Sequence, residues 1–167
     1  EILSFPAASK TVYSPLKEGS ALTYCANHEH NACNWLISTE SGTSFCEACS
    51  SNRTIPDLSD AENKLDWQKI EIAKHRLFYS LHKLKLPTKF NINDQALNLR
   101  FDFLAPDPNN PSAIKTGHAN GLITLNIQEA NAAHREYIKE QLSERYRTLL
   151  GHFRNEVGHF YWEVLIQ

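Results

Sequence analysis

The chain has four cysteines, Cys25, Cys33, Cys46 and Cys49, all within one stretch of its 167 residues. Their spacing is C-x7-C, then twelve residues, then C-x2-C. Two readings compete: a pair of disulfides, or one tetrathiolate metal site. Cys46 and Cys49 have the spacing of half a zinc knuckle. The first pair is wide, and its loop holds His28 and His30, either of which is chemically able to replace a thiolate. Four thiolates use every cysteine and match the tetrahedral preference of zinc. Zinc held by Cys25, Cys33, Cys46 and Cys49 is therefore the expected cofactor. Residues 21–52 are rich in Ser, Thr and Asn, with Tyr24, Trp35, Leu36, Ile37 and Phe45 among their few larger apolar groups. Such a segment lacks material for a core, and a metal would supply the missing folding free energy.

Charge narrows the partners. Residues 21–52 contain no Lys or Arg but do contain Glu29, Glu40 and Glu47, and the whole chain carries a net charge of −2. Phosphate-backbone binding rests on cationic neutralisation, so nucleic acid is not an expected partner. A closed four-ligand site also has no open position for chemistry, which makes its role architectural. No apolar window approaches a bilayer span, so no membrane partner is expected. No signal-peptide pattern opens the chain, which begins at Glu1 and holds no Met. A trimmed or partial chain is the expectation, and retained thiols imply cytoplasmic residence.

Behind the cysteine segment the pattern is α+β. Residues 1–20 read as a loose lead-in and Arg53–Ser59 as a linker, giving a module over 1–58 and a second domain over 59–167. Ser59 and Glu62 have capping-box spacing. Leu65, Ile70, Ala73, Leu77, Leu81 and Leu84 then recur at helical intervals, so a packing helix is expected over 61–86, stopped by Pro87. Leu97, Leu99, Phe101 and Phe103 alternate with polar residues as one strand, and Gly121–Ile127 reads as a second. A long polar connection between them suggests an antiparallel pair. Residues 128–144 read as a helix. From Arg145 a terminal helix carries Leu149, Phe153, Val157, Phe160 and Val164 on one face.

That last helix contains Asn155-Glu156-Val157-Gly158-His159. A zinc-peptidase helix carries H-E-x-x-H, with both His on one face and the Glu as general base. Here the Glu and the second His are present and the first His is Asn155. Gly158 inside the helix suggests that something packs closely against it.

The chain resembles the zinc-binding metallopeptidases that carry an N-terminal zinc-ribbon-like module. The likeness runs through Tyr24–Asn27, Cys33–Leu36, Phe45–Cys49 and Asn52–Leu58. It continues through Glu71–Leu77, Gly117–Asn126 and Tyr146–Arg154, and so covers most of the chain. It implies a zincin-like domain behind the zinc module, with Glu156 as the base, His159 as a ligand and Asn155 in the place of the other. It also implies a peptide lying along an edge strand formed by Gly121, Leu122, Ile123, Thr124 and Leu125, by β-augmentation.

Two departures from that pattern matter. An amide oxygen is a poor zinc ligand beside imidazole. Zincins also take a third ligand further along the chain, and the acidic residue that follows His159 is Glu163, four positions on. His152 does not replace the missing His. It lies seven residues before His159, about 10.5 Å along an unbroken helix, too far for both nitrogens to reach one zinc. The expectation is a chain with one structural zinc and a truncated or impaired peptidase centre. The alternative is a non-catalytic module that binds a peptide or protein.

Overall fold

The computed structural model of the chain describes residues 11–13, 21–92, 95–107, 109, 114, 116–141, 143 and 148–166. Two compact units divide it, Glu1–Ser50 and Ser51–Gln167.

The first unit is built on an antiparallel meander of β1 (Thr11–Tyr13), β2 (Ala21–Tyr24) and β3 (Leu36–Ser38). Within the expected loose lead-in, then, Thr11–Tyr13 is a strand. A 3-10 turn at Ala26–His28 follows β2, and the short helix α1 (Glu47–Ser50) closes the unit. Among the described residues its buried apolar side chains are the four cysteines, Ala32 and Ala48, while Phe45 is 44% exposed. Sulfur thus forms most of the interior, as a core-poor segment requires.

The second unit opens with β4 (Asn52–Thr54), so the expected linker begins as a strand. Helix α2 (Ala61–Lys83) follows. Its cap is Asp60, whose Oδ1 accepts the amides of Glu62 and Asn63 at 2.8 and 2.9 Å. Ser59 does not cap the helix, because its hydroxyl donates to Asp57 Oδ1 at 2.7 Å. The helix ends three residues short of 86. Lys85 adopts a left-handed conformation (φ 55°), and its amide donates back to the His82 carbonyl, which stops the helix ahead of Pro87. Ile70, Ala73, Leu77 and Leu81 are buried as the spacing predicts, but Leu65 and Leu84 are exposed. Trp67, Glu71, Lys74 and Phe78 complete the buried face instead.

The next strands are β5 (Lys89–Ile92), β6 (Gln95–Asn98) and β7 (Arg100–Leu104). The single strand expected over 97–103 is therefore two. β6 pairs back on β5 in a separate two-stranded sheet, and Leu99 turns aside to donate its amide to the Thr88 carbonyl. β8 (Gly117–Ala119) and β9 (Leu122–Asn126) form a hairpin across Asn120-Gly121, both with positive φ. That is the left-handed pair a two-residue hairpin turn demands. A Cβ on Gly121 would also lie 2.7 Å from the Asn98 carbonyl oxygen.

The main sheet has the order β4-β7-β9-β8. β7 and β9 run parallel, with Phe101 beside Ile123 and Phe103 beside Leu125. The antiparallel pair expected between these segments is thus corrected. The chain reverses once more, in the β8–β9 hairpin, and so enters β9 in the direction of β7. β9 is not an edge strand either. β7 and β8 occupy its two sides along Leu122, Ile123 and Thr124, Leu125 pairs with Phe103 of β7, and Gly121 belongs to the turn.

A 3-10 turn at Ile127–Ala130 and helix α3 (Ala132–Gln141) take the place of one helix over 128–144. Helix α4 (Leu149–Leu165) starts at Thr148, whose Oγ1 accepts the Gly151 amide at 3.0 Å. The start expected at Arg145 lies outside the described residues. Phe153 packs edge-on to Phe101 and Phe103, and Phe160 meets Phe90, so α4 closes over the sheet core. Gly158 is exposed, and a Cβ there would meet nothing within 4 Å among the described residues, so the close contact expected at it is absent.

Candidate functional site

In the first unit the strand ends and α1 bring Cys25, Cys33, Cys46 and Cys49 together, with all four Sγ atoms within 4.8 Å of one another. Cys33 Sγ and Cys46 Sγ stand 3.7 Å apart. A disulfide needs about 2.0 Å. The edge of a tetrahedron with Zn–S near 2.3 Å is about 3.8 Å. Backbone amides point at the sulfurs: Cys46 N–H donates to Cys25 Sγ and Trp35 N–H to Cys33 Sγ, each at 3.3 Å. Such bonds stabilise thiolates. A hydrogen bond from Cys33 is the main influence that brings the Cys25 thiol down to about 6, and the same contact pushes Cys33 up. Four buried sulfurs so close cannot all ionise without a cation among them, and the donor set fits zinc. His28 faces elsewhere, its ring stacked on Tyr24 and its Nδ1 3.0 Å from the Cys33 carbonyl oxygen.

In the second unit α4 sets out the motif. Asn155 and His159 lie one turn apart on its exposed face, while Glu156 is buried. Asn155 Nδ2 donates to Glu156 Oε1 at 3.2 Å. His152 Nε2 lies 3.5 Å from the same oxygen, and His152 Nδ1 lies 3.6 Å from Glu129 Oε2. The hydrogen bond from His152 is the main reason the Glu156 carboxyl sits below its usual range, against the opposing effect of burial. Glu163 does not turn toward His159. Its Oε1 is 3.6 Å from Nδ1 of His118 on β8, and His118 Nε2 accepts the Gly121 amide at 3.1 Å. Among the described residues, no set of three or more His, Cys, Asp or Glu with mutually close ligand atoms includes His159. Asn155 and His159 do not make the i, i+4 imidazole pair of the motif.

Sequence reasoning set His152 aside as a metal ligand but missed Glu129, its partner from the turn after β9. It also missed β8, which lies at one end of the main sheet among the described residues. Asn120-Gly121 was the available signal, since Asn-Gly between short apolar runs marks a hairpin.

The class of protein follows from these two sites: a zinc-ribbon module joined to a domain whose last helix carries a metallopeptidase motif. A zinc-ribbon domain family matches residues 1–60, and the family described as "putative zinc-binding metallo-peptidase" matches residues 63–167. The chain belongs to this zinc-binding metallopeptidase family. It is 38% identical over 142 residues to uncharacterized proteins of Mycobacterium bovis and Mycobacterium tuberculosis. The match covers 85% of this chain and 41% of theirs, so the chain spans about two fifths of the length of these curated relatives. No solved structure matches it. Among the described residues, no helix is long and apolar enough to cross a membrane.

Proposed function

We propose that this chain is a metallopeptidase relative that holds one structural zinc on Cys25, Cys33, Cys46 and Cys49 and whose peptidase centre is impaired. In the intact family pattern, Glu156 is the base for a zinc-activated water and His159 a ligand. The observation that carries the impaired reading is the Asn155 amide, which donates to Glu156 from the position where that pattern has an imidazole. An NH2 group turned to the base carboxylate is a donor, and a metal needs a lone pair. The test is metal analysis by native mass spectrometry. One tightly held zinc per chain is expected, and two would refute the reading. Asn155→His is expected to raise affinity for a second metal, because it restores an i, i+4 imidazole pair on the exposed face of α4. No gain would count against Glu156 and His159 as the remnant of a peptidase centre.

A second reading is a non-catalytic module that binds a peptide or protein. The end position of β8 in the sheet favours it, since β-augmentation needs a free strand edge and Gly117–Ala119 has a neighbour on one side only among the described residues. The anionic cysteine segment argues against nucleic acid as the partner. Four thiols kept available as ligands suit a reducing compartment such as the cytoplasm.

A further inference from the structure

We propose that His152 and Glu129 are positioning residues for Glu156: the imidazole stands between two carboxylates and fixes the orientation of the one in the motif. The inference rests on the reading of Glu156 as the family's general base. The three side chains come from different places. Glu156 and His152 lie one turn apart on α4, while Glu129 sits on the 3-10 turn that follows β9. Asn126 secures that turn, its Oδ1 accepting the Gln128 amide at 3.0 Å. The side chains of Glu129, His152 and Glu156 are 5%, 13% and 9% exposed.

The geometry separates this role from metal binding. Nε2 of His152 faces Glu156 and Nδ1 faces Glu129, on opposite sides of the ring. One ion bound to one ring nitrogen does not reach both carboxylates. Each ring nitrogen has one carboxylate close by, Glu129 at 3.6 Å and Glu156 at 3.5 Å, and a ring held between two buried side chains restricts the one on α4. The arrangement follows the logic by which a carboxylate behind a histidine orients it for catalysis. A general base must be held within reach of the proton it takes. Here Oε1 of Glu156 has two neighbours that hold it, His152 and Asn155. The base is thus kept in place although its neighbouring ligand position is Asn.

The test is side-chain NMR on the full zinc-bound chain at neutral pH. In the unsubstituted protein, the side-chain couplings of Glu156 are expected to report one rotamer. His152→Gln and Glu129→Gln should average those couplings while the amide spectrum of β7 and β9 stays in place. Glu129→Asp should recover part of the effect. A purely structural role would leave the Glu156 rotamer unchanged in variants that remain folded, and that result overturns the proposal. Should the variants unfold, the unsubstituted chain still decides: averaged Glu156 couplings there overturn it. The base reading fails separately, if Asn155→His takes up no second zinc. His152→Gln in the Asn155→His background should leave any second-zinc affinity within twofold, and a larger loss would make His152 a ligand and overturn the positioning role.

Discussion

Lys74 Nζ lies 2.8 Å from Glu71 Oε1, and both side chains are wholly shielded from solvent. Asn52 joins them from β4: its Nδ2 donates to Glu71 Oε1 at 2.8 Å, and its Oδ1 accepts from Lys74 Nζ. The ammonium also stands 5.5 and 5.1 Å from the ring centroids of Phe101 and Phe103. Helix α2 and the sheet are therefore joined by a charge pair inside an aromatic core.

Removing one member of that pair strands the other. Lys74→Met is expected to cost about 3–5 kcal/mol, the usual penalty for a buried charge left without its partner. The double variant Lys74→Met/Glu71→Leu should recover a large part of the loss. Urea unfolding followed through the second unit checks both, and equal destabilisation by single and double variants would contradict the argument.

Zinc removal should act on the cysteine unit. A structural zinc of this type supplies roughly 10–16 kcal/mol of binding free energy that is also folding free energy. A strong chelator, or Cys46→Ser, is expected to abolish amide-exchange protection across Ala21–Tyr24 and Leu36–Ser38. Protection that survives complete metal loss would show that the sulfurs do not depend on a cation.

Acid should destabilise the second unit through Asp102 and Glu156. Burial alone would raise Asp102, but Arg53 donates to it from two nitrogens, and its carboxyl ends below the usual range. Glu156 is lowered chiefly by the hydrogen bond from His152. A depressed carboxyl stabilises the fold fully above its unfolded value, about 3.9 for Asp and 4.3 for Glu. That stability is lost as pH falls through the lower folded value. Urea midpoints should therefore drop below about pH 4, and Asp102→Asn and Glu156→Gln should each flatten the decline. Arg53 is largely exposed, so added salt should shrink the Asp102 share.

The two glycines of α4 should respond differently to alanine. Gly158 has open space at its Cβ position among the described residues, so Gly158→Ala is expected to stabilise by up to about 1 kcal/mol. A Cβ on Gly151 would lie 2.8 Å from Thr148 Oγ1, the atom that caps the helix. Gly151→Ala should lose in capping about what it gains in helix propensity, leaving stability near that of the parent. Thermal unfolding of both variants checks the contrast.

Local features were legible in the sequence. Cys46-x-x-Cys49 announced a metal knuckle, and the thiol geometry fits it. The spacing of Phe153, Val157 and Phe160 located the buried face of α4. Ser59 misled because a cap depends on which neighbour takes its hydroxyl, and Asp57 does. Nothing in the spacing of the helix marks Lys74 as buried, because Asn52, 22 positions away, is part of what makes its burial tolerable.

What the sequence determined by itself is the sulfur cluster and the Asn155–His159 face, because ligand spacing and helical pitch are set by residues close along the chain. The tertiary structure decided that β9 is enclosed between β7 and β8, that β8 takes the end of the sheet, and that Glu129 meets His152 behind Glu156. Each of these depends on which distant segments the chain brings together, and periodicity within one segment carries no record of its neighbours.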